Sequence, residues 1–528
     1  MNPSSPAPLA IRLMKTGLAL LVVSALPSSH GETPNAKPAS VTVHVDQVTA
    51  EISPLIYGQF IEHLGRAIYG GIYEPGSPLS DKHGFRKDVL EKVQALRTPL
   101  MRYPGGTVTK IYHWKDGIGP KENRPVRRNL IWGGEDTNHV GTDEFMSYSQ
   151  LIGAAPFITV NMSTGTAEEA SEWVEYCNAD GNSYFAALRR QHGHAEPYRV
   201  KYWGLGNEEA AREDAGVLQN PADYVQKAWF FAKLMKLQDP SIELIMVGDD
   251  EHWNKTILES LHPIADYISL HLYASTPNAA PSSLFTSVAN MEERIKKTAA
   301  QIKALTPADP GPLSRWYRFP GRKGPVKIAI DEWGFWEPNG TGAYGLEQTY
   351  TWNHALGVAS FLNAFQRHAD VVGMATWAQT VNMLAPIMTD EQRSICQTIY
   401  YPLALYRELS GTRHVAADVT CGTLPDTEQL PVLDVASSID DAGRTLTLAL
   451  VNRSETEHLD VALTVAGAKT SGAWTAHTLT APSVRAANTL QEPDKNVVEY
   501  HTTSIASDTP SYRVPAHTIA ILQVALAK

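Results

Sequence analysis

The sequence is poor in three features that would point to particular classes of protein: cysteine, positive charge and long apolar runs. Its three cysteines, Cys177, Cys396 and Cys421, are too few for a disulfide framework, and no Cys/His cluster has zinc spacing. Lysine and arginine number 45 against 56 acidic residues, and this net charge of −11 argues against nucleic acid or an anionic membrane as partner. We therefore expect no metal, no cofactor and no membrane, although Cys396 and Cys421 could pair in an oxidising compartment.

One apolar run lies near the N-terminus. Arg12 and Lys15 precede the apolar residues 17–26, and Pro27 and several small residues follow up to Gly31. This order is that of a secretory signal peptide, and the run is too short to span a membrane. A buried N-terminal helix is the alternative. We expect residues 1–31 to be a signal peptide, so that the protein is secreted or periplasmic.

From residue 55 onward, apolar strand patterns alternate with helical ones, such as Val89, Val93 and Leu96 at helical spacing. Strands that alternate with helices form parallel βαβ units, and eight such units close a (β/α)8 TIM barrel. The predicted barrel strands are 55–61, 99–103, 156–162, 200–205, 242–247, 267–272, 327–330 and 371–377.

After about residue 411 the pattern changes to short strands without helices between them, which is typical of an antiparallel β-sandwich. The alternating residues 41–45, ahead of the barrel, fit this sheet as well. The sequence thus predicts an α/β fold class, a TIM barrel with a C-terminal antiparallel β-sandwich. The predicted domains are a signal peptide (1–31), strands joining the sandwich (41–54), the catalytic barrel (55–411) and the β-sandwich (412–528).

Three segments lie between the predicted elements. The long loops 104–141 and 275–290 are expected to surround the mouth of the barrel, and the insertion 306–325 has no assigned role. Mouth loops shape the site of an α/β barrel, because its chemistry lies at the C-terminal ends of the strands.

Two carboxylic residues follow buried strands at distant places in the chain. Glu208 follows the fourth predicted strand and Glu332 the seventh. These strand ends face each other across the mouth of an eight-stranded barrel, where two carboxyls can flank one glycosidic bond. The alternatives are two ordinary rim carboxylates, or a non-catalytic glycan-binding protein.

The residues around both carboxyls resemble a known family. Gly206-Asn207-Glu208 and Asp331-Glu332-Trp333 resemble the motifs of retaining glycosidases that carry the acid/base after strand four and the nucleophile after strand seven. Further motifs narrow the resemblance to glycoside hydrolase family 51, the α-L-arabinofuranosidases, over residues 55–409. These motifs are 60–66, 102–106, 113–120, 141–145, 269–273 and 378–382.

The resemblance implies a role for each residue. Glu208 would be the acid/base, with a pKa raised by dry surroundings, and Glu332 the nucleophile, with Trp333 and Trp336 shaping its surroundings. Asn207 would bind the 2-hydroxyl of the sugar. The other residues at family positions that line a pocket for one furanose are Glu62, Arg102, Trp132, Tyr273, Trp336 and Gln379.

Three further positions are less settled by the resemblance. His271 either bonds Glu332 or its surroundings, and so takes part in substrate binding, or is a structural histidine at a strand end. Asp331 is expected to support the site without touching substrate. Thr107 stands where the family usually has an asparagine, which leaves the exact furanose open.

The expected function is a retaining exo-glycosidase that releases terminal α-L-arabinofuranosyl residues from plant-type arabinose-containing polysaccharides or oligosaccharides. Another retaining activity on the same scaffold, a galactofuranosidase or an endo-β-glucanase, is the alternative. The expected partner is a carbohydrate substrate, and the family's tendency is to form homo-oligomers.

Overall fold

The computed structural model describes residues 36–211, 218, 220–276, 280–311, 313, 321–338, 340–427, 429–506 and 511–527. The predicted signal peptide and part of the 306–325 insertion lie outside these ranges. Within them, every helix is too short or too polar to cross a membrane.

The elements follow one another in three blocks: a first strand, a run of alternating strands and helices, and a final run of strands. The strands are β1 (Lys37–Glu51), β2 (Gly58–Phe60), β3 (Leu100–Tyr103), β4 (Arg127–Arg128), β5 (Glu135–Asp136), β6 (Ala155–Val160), β7 (Tyr202–Leu205), β8 (Glu243–Met246), β9 (Tyr267–Ala274), β10 (Lys327–Phe335), β11 (Val372–Trp377), β12 (Ile387–Thr389), β13 (Ser394–Cys396), β14 (Arg413–Thr420), β15 (Leu433–Ile439), β16 (Thr445–Asn452), β17 (Leu459–Ala466), β18 (Thr470–Thr480), β19 (Glu499–Ile505), β20 (Ser511–Val514) and β21 (Thr518–Leu526). The helices are α1 (Lys87–Ala95), α2 (Thr142–Ile152), α3 (Ala167–Asn178), α4 (Tyr184–Gln191), α5 (Pro221–Gln238), α6 (Glu251–Leu261), α7 (Ser282–Leu305), α8 (Trp352–Arg367) and α9 (Tyr400–Leu409).

Eight parallel strands close a barrel in the order β10-β11-β2-β3-β6-β7-β8-β9. They are the eight strands that the apolar runs predict, so the predicted fold class is confirmed. Residues two apart on a strand share a face, and Leu100 and Arg102 on β3 both point into the barrel. The inward apolar side chains form a layer beneath the polar mouth; they are Leu100, Phe157, Tyr202, Ile245, Ala329 and Met374.

The helix boundaries follow local capping chemistry. Asn220 caps α5 by accepting from Ala222 N at 3.0 Å, and Pro221 occupies the first turn. Thr166 caps α3, since its hydroxyl oxygen accepts from Glu169 N. The Glu169 carboxylate hydrogen-bonds His113 and not the backbone N–H of Thr166, as it would in a capping box. The expected loop 275–290 is wrong in its second half, because α7 already begins at Ser282.

The C-terminal strands form a nine-stranded sheet in the order β19-β18-β21-β16-β15-β14-β1-β17-β20. Strand β1 lies inside this sheet, as its alternation predicts; it is antiparallel to β14 and parallel to β17. Its buried side chains Val41, Val43 and Val45 face the core of the domain. Strands β14 and β20 are additions to the predicted set.

Helix α8 joins the barrel to this sheet, and its residues Trp352–Gln366 are all buried. The Trp352 indole donates to the backbone oxygen of His517 at 2.6 Å. Asp434 on β15 accepts from Arg367 at the end of α8 and from Arg453, at 2.7 and 2.8 Å. The two domains therefore share one continuous packed and ion-paired junction.

The cysteines do not cross-link the chain. Cys177 is buried on α3, as its helical spacing predicts, and Cys396 and Cys421 are free thiols.

Candidate active site

The predicted site residues converge at the mouth of the barrel, because each lies at or just beyond the C-terminal end of a strand. They are Glu62 after β2, Arg102 on β3, Asn207 and Glu208 after β7, His271 and Tyr273 on β9, Glu332 on β10 and Gln379 after β11. Strand β10 continues past Glu332 to Phe335. Glu332 therefore lies within the strand, near its C-terminal end, and not in the loop that follows it.

The two candidate catalytic carboxyls are close neighbours. An oxygen of Glu208 and an oxygen of Glu332 lie within 4.8 Å of each other and of a His271 ring nitrogen. The Glu208 side chain is 34% exposed and that of Glu332 only 7%. One carboxyl thus faces the open side of the mouth and the other lies at its floor.

The floor carboxyl is held in a fixed orientation by two donors. Arg102 Nη1 donates to Glu332 Oε1 at 2.7 Å, and the Tyr273 hydroxyl donates to Oε2 at 2.7 Å. A buried charge of this kind needs such partners, and here they leave the carboxylate oriented towards the pocket.

Asn207 is fixed from one side only. Arg102 Nη2 donates to Asn207 Oδ1 at 2.6 Å, while Asn207 Nδ2 is buried and has no hydrogen-bond partner among the described residues. A buried donor without a partner is costly, so this amide is ready to bind an acceptor on a substrate.

His271 lies between the two carboxyls. Its Nδ1 is 2.7 Å from Glu208 Oε1 and 3.4 Å from Glu332 Oε2. Its Nε2 is 3.5 Å from Asp331 Oδ1, and Asp331 in turn accepts a hydrogen bond from the Ser269 hydroxyl. Asp331 therefore orients the imidazole from behind, which agrees with its predicted supporting position.

This arrangement decides where the proton of the site resides. Burial raises the pKa of Glu208, but the charge and hydrogen bond of His271, together with the charges of Lys110 and Arg102, outweigh burial and lower it. Burial lowers the pKa of His271, but Glu332 and Glu208 together raise it well above its usual range. The expected raised pKa of Glu208 is therefore wrong for the unliganded site, where His271 holds the proton.

Glu62 marks the far end of the pocket. Its Oε1 accepts from Val108 N at 3.1 Å and from the Trp132 indole at 2.9 Å, and its Oε2 accepts from Gln379 Nε2 at 2.7 Å. Burial and the charge of Glu332 raise the pKa of Glu62 to about 7. The structure thus joins Glu62, Trp132 and Gln379 into one polar wall.

Two glycines let the backbone approach the carboxyls. A Cβ on Gly106 would lie 2.8 Å from Glu332 Oε1, and Gly206 has a φ of +87° just before Asn207. Thr107, which is buried, begins the short 3-10 helix Thr107–Ile111 immediately after Gly106. Thr107, which stands where the family usually has asparagine, therefore directly follows a glycine that borders Glu332.

The two tryptophans after Glu332 point in different directions. Trp336 is 44% exposed and packs edge-on against Tyr273 at the rim. Trp333 is fully buried against Phe365 and Trp377. Successive residues on a strand point to opposite faces, so Trp333 adjoins Glu332 from the core side of the strand while Trp336 lies at the rim.

Lys110 is a site residue that sequence reasoning missed. It is buried, it donates to the backbone oxygen of Glu208 at 3.1 Å, and its charge helps to lower the pKa of that carboxyl. A single lysine in a long loop carries no periodic signal, so only the fold reveals its place.

Glu208, His271 and Glu332 are the one group of at least three His, Cys, Asp or Glu residues, within the described ranges, whose ligand atoms are close enough to hold a metal ion. Arg102 and Tyr273 already donate to both oxygens of Glu332. A cation would have to compete with the Arg102 guanidinium, so this geometry suits acid–base chemistry better than metal binding.

Comparisons with known proteins agree with this geometry. Two family models match, the alpha-L-arabinofuranosidase 1 domain over residues 92–292 and the alpha-L-arabinofuranosidase C-terminal domain over residues 331–518. A probable alpha-L-arabinofuranosidase C of Aspergillus fumigatus is 38% identical over 94% of this chain and 98% of that protein. An intracellular exo-alpha-(1->5)-L-arabinofuranosidase of Halalkalibacterium halodurans is 35% identical over 80% of this chain and 86% of that protein.

Solved structures give the same result. The alpha-L-arabinofuranosidase of Thermotoga maritima, in its arabinose complex, superposes with a TM-score of 0.84 at 38% identity, covering 92% of this chain and 100% of that one. The thermostable GH51 alpha-L-arabinofuranosidase of Thermotoga petrophila gives 0.83 at 38% identity, with the same coverage.

Proposed function

Since the chain belongs to the α-L-arabinofuranosidases of glycoside hydrolase family 51, we propose that it is a retaining exo-glycosidase that releases terminal α-L-arabinofuranosyl residues. Arabinose-containing plant polysaccharides and oligosaccharides are its substrates. The observation that carries this proposal is the pair Glu208 and Glu332, whose carboxyl oxygens lie within 4.8 Å.

The separation of the carboxyls supports retention of configuration. Retaining enzymes hold the two carboxyls about 5–5.5 Å apart, whereas inverting enzymes need roughly 6.5–9.5 Å to seat a water between them. The spacing of Glu208 and Glu332 belongs to the first class, so Glu332 attacks the sugar directly and no water stands between them.

In the first step, the proton held by His271 passes across the 2.7 Å contact to Glu208, which gives it to the glycosidic oxygen. The bond between that oxygen and the anomeric carbon breaks, and a Glu332 oxygen bonds to the same carbon. Asn207 Nδ2 donates to the 2-hydroxyl oxygen, a contact that strengthens in the oxocarbenium-like transition state.

The second step follows from the loss of charge on Glu332. Its carboxylate is the main group that raises the pKa of His271, so the ester leaves the imidazole neutral and Glu208 ionised. Glu208 then takes a proton from water while the hydroxide oxygen bonds to the anomeric carbon and the ester breaks. The restored charge of Glu332 draws the proton back to His271.

Azide rescue tests these roles. Glu332→Ala should lose nearly all turnover on every substrate, because no glycosyl-enzyme forms. Glu208→Ala should still form the intermediate from substrates with a good leaving group, and azide, which needs no general base, should release it as a glycosyl azide of retained configuration. The products are identified by NMR.

With Glu332→Ala, azide should attack directly and give the inverted product. If the two variants give azides of the opposite configurations, the roles of Glu208 and Glu332 are reversed. If neither variant lowers hydrolysis, the carboxyl pair is not the catalytic site.

The choice of sugar is tested on a substrate panel. The polar wall of Glu62, Trp132 and Gln379 supports a pocket for one sugar ring. We expect hydrolysis of nitrophenyl α-L-arabinofuranoside to exceed that of nitrophenyl β-D-galactofuranoside and of a β-glucan polymer. Preference for either of the latter two would assign another activity to this scaffold.

We also propose that the protein is exported and forms homo-oligomers. The N-terminal segment 1–31 supports export, and N-terminal sequencing of the mature protein tests it: a chain that still begins at residue 1 contradicts removal of a signal peptide. Phe230 and Leu237 on α5 are more than half exposed and support self-association. Light scattering on the purified protein distinguishes an oligomer from a 57.9 kDa chain.

A further inference from the structure

Two loops from different parts of the barrel meet above the sugar pocket. The β4–β5 hairpin carries Trp132, and the segment after β10 carries Tyr344. Their rings lie 5.2 Å apart between centroids, at an interplanar angle of 66°, and the Tyr344 hydroxyl is 3.5 Å from the backbone oxygen of Ile131. This edge-to-face pair, Trp132 and Tyr344, is called the aromatic clasp below.

The aromatic clasp borders the end of the pocket that Glu62 marks. The Trp132 indole nitrogen donates to Glu62 at 2.9 Å, so the indole reaches from the pocket wall to the Tyr344 ring. Trp132 also packs on an apolar cluster that contains Leu346 and Met383. The clasp is therefore continuous with this apolar cluster on one side and with Glu62 on the other.

The hairpin side of the clasp is anchored to the segment after β2. His63 Nδ1 is 2.6 Å from Asp136 Oδ2, and Asn129 Nδ2 donates to the backbone oxygen of His63 at 2.8 Å. Asn129 Oδ1 accepts from Trp132 N at 2.9 Å. These contacts fix the backbone on which the indole is mounted.

The Tyr344 side is anchored to the same segment. Arg66 donates from Nε and Nη2 to the two oxygens of Glu347, at 2.9 and 2.8 Å. A two-point guanidinium–carboxylate contact fixes orientation as well as distance. Because both loops are tied to residues 62–66, the aromatic clasp is held closed by the fold itself.

We propose that the aromatic clasp is what restricts this enzyme to a terminal furanose, and that Tyr344 is a specificity-determining residue. The inference rests on the proposed function. In this proposal, a second sugar attached to the bound furanose through at least one of its hydroxyls meets the rings of Trp132 and Tyr344. Tyr344 itself is 59% exposed, so truncating it opens the wall towards solvent without removing a core side chain.

The test uses aryl glycosides whose leaving group never changes. Nitrophenyl α-L-arabinofuranoside is compared with three disaccharide glycosides in which an outer arabinofuranose is attached through O2, O3 or O5 of the inner one. Direct release of nitrophenol together with intact arabinobiose requires the inner, substituted ring to occupy the pocket. The parent enzyme should release arabinose first and form no arabinobiose.

Tyr344→Ala should release arabinobiose from at least one of the three. The ratio of kcat/KM for direct aryl cleavage of that compound to kcat/KM for the monosaccharide glycoside should rise about tenfold or more over the parent. Tyr344→Phe keeps the ring and should behave as the parent does. Tyr184→Ala, which removes another exposed tyrosine (72% exposed) on α4, is the control and should leave the ratio unchanged.

Failure of the inference and failure of the proposed function are distinguishable. If Tyr344→Ala releases only arabinose from all three compounds, at whatever rate, the clasp does not set the mode of action. If Tyr344→Phe also releases arabinobiose, the hydroxyl and not the ring closes the pocket, and the proposal is again overturned. If the parent does not hydrolyse the monosaccharide glycoside, it is the proposed function that fails.

Discussion

Glu62 is a carboxyl that the fold holds partly protonated near neutral pH. Burial and Glu332 raise its pKa from 4.5 to about 7, so its ionised form is disfavoured in the folded state. A carboxyl whose pKa is higher in the folded than in the unfolded protein lowers the free energy of unfolding as the pH rises from the unfolded-state pKa through the folded-state pKa. The full cost is about 3 kcal/mol, and it is present only above pH 7.

Glu62→Gln removes this ionisation. The melting temperature of the variant minus that of the parent should therefore be larger at pH 8 than at pH 5. This holds whether the difference at pH 5 is positive or negative. Calorimetry at both pH values measures the change. An equal difference in melting temperature at pH 5 and pH 8 would show that Glu62 does not titrate in this range.

Thr107 bears on the choice of furanose. If it replaces an amide that holds a sugar hydroxyl, Thr107→Asn should change the preference among furanosides, since asparagine offers two donors where threonine offers one. One hydrogen bond gained is worth on the order of 0.5–1.5 kcal/mol, or up to roughly tenfold in relative kcat/KM. Unchanged relative kcat/KM on arabinofuranosides and galactofuranosides would mean that position 107 does not contact the sugar.

The β4–β5 hairpin is held in part by one buried contact between Asp136 and His63. Asp136 and His63 are mostly buried, and the charge of His63 lowers the pKa of Asp136 to about 2 against the effect of burial. Asp136→Asn should loosen the hairpin and the indole of Trp132 with it. We expect KM for nitrophenyl arabinofuranoside to rise about tenfold, since loss of one partner of a buried pair costs roughly 3–5 kcal/mol locally.

The same hairpin offers a matched control. Arg127 pairs with Asp116 at 2.8 Å, but the arginine side chain is 62% exposed. Exposed pairs contribute about 0–1 kcal/mol, so Asp116→Asn should leave KM within a factor of a few of the parent value. Equal effects of the two variants would mean that the buried pair has no special role in placing Trp132.

The elements with a strong apolar period are those that the sequence predicts. All eight barrel strands, and the placement of β1 in the C-terminal sheet, follow from buried runs or from alternation. The hairpin β4–β5 and the strand β14 have mixed or exposed side chains, so no period marks them. The start of α7 is hidden because three serines, Thr286 and Asn290 interrupt the helical spacing of Leu284, Phe285 and Val288, which are the buried side chains of this segment.

The site was predictable only in part for a related reason. Short motifs at strand ends identify Glu208 and Glu332, since the barrel must bring strand ends together. The contact of His271 with Glu208, and the contact of Tyr344 with Trp132, join segments far apart in sequence. No local pattern encodes such contacts. Likewise, the face of strand β10 on which the Trp333 side chain lies depends on how far this strand continues past Glu332.

The junction between the two domains is a property of the whole molecule. The two carboxylate oxygens of Asp434 accept from Arg367 Nη1 at 2.7 Å and from Arg453 Nη2 at 2.8 Å. The Asp434 side chain is only 6% exposed. Asp434→Asn should leave Arg453 without its carboxylate partner, while Arg367 keeps Glu292 at 2.9 Å, and it should lower the free energy of unfolding by roughly 3 kcal/mol. Urea or thermal unfolding followed by circular dichroism measures this loss.

An exposed pair in the same sheet serves as the control. Asp460 and Arg513 are 2.8 Å apart, with each side chain about half exposed, so Asp460→Asn should change the unfolding free energy by about 1 kcal/mol or less. If Asp434→Asn is no more destabilising than this control, the junction is held by apolar packing along α8 alone.

The position of strand β1 in the C-terminal sheet also affects how the chain folds during its synthesis. Strand β1 is synthesised well before its partners β14 and β17, which lie beyond residue 412. At cellular rates of synthesis the interval is on the order of tens of seconds. Throughout that time both edges of a strand bearing Val41 and Val43 are open to pairing with other nascent chains. The C-terminal sheet is therefore completed only after β21 has been made, and a chain that terminates before residue 413 leaves both edges of β1 without their partner strands.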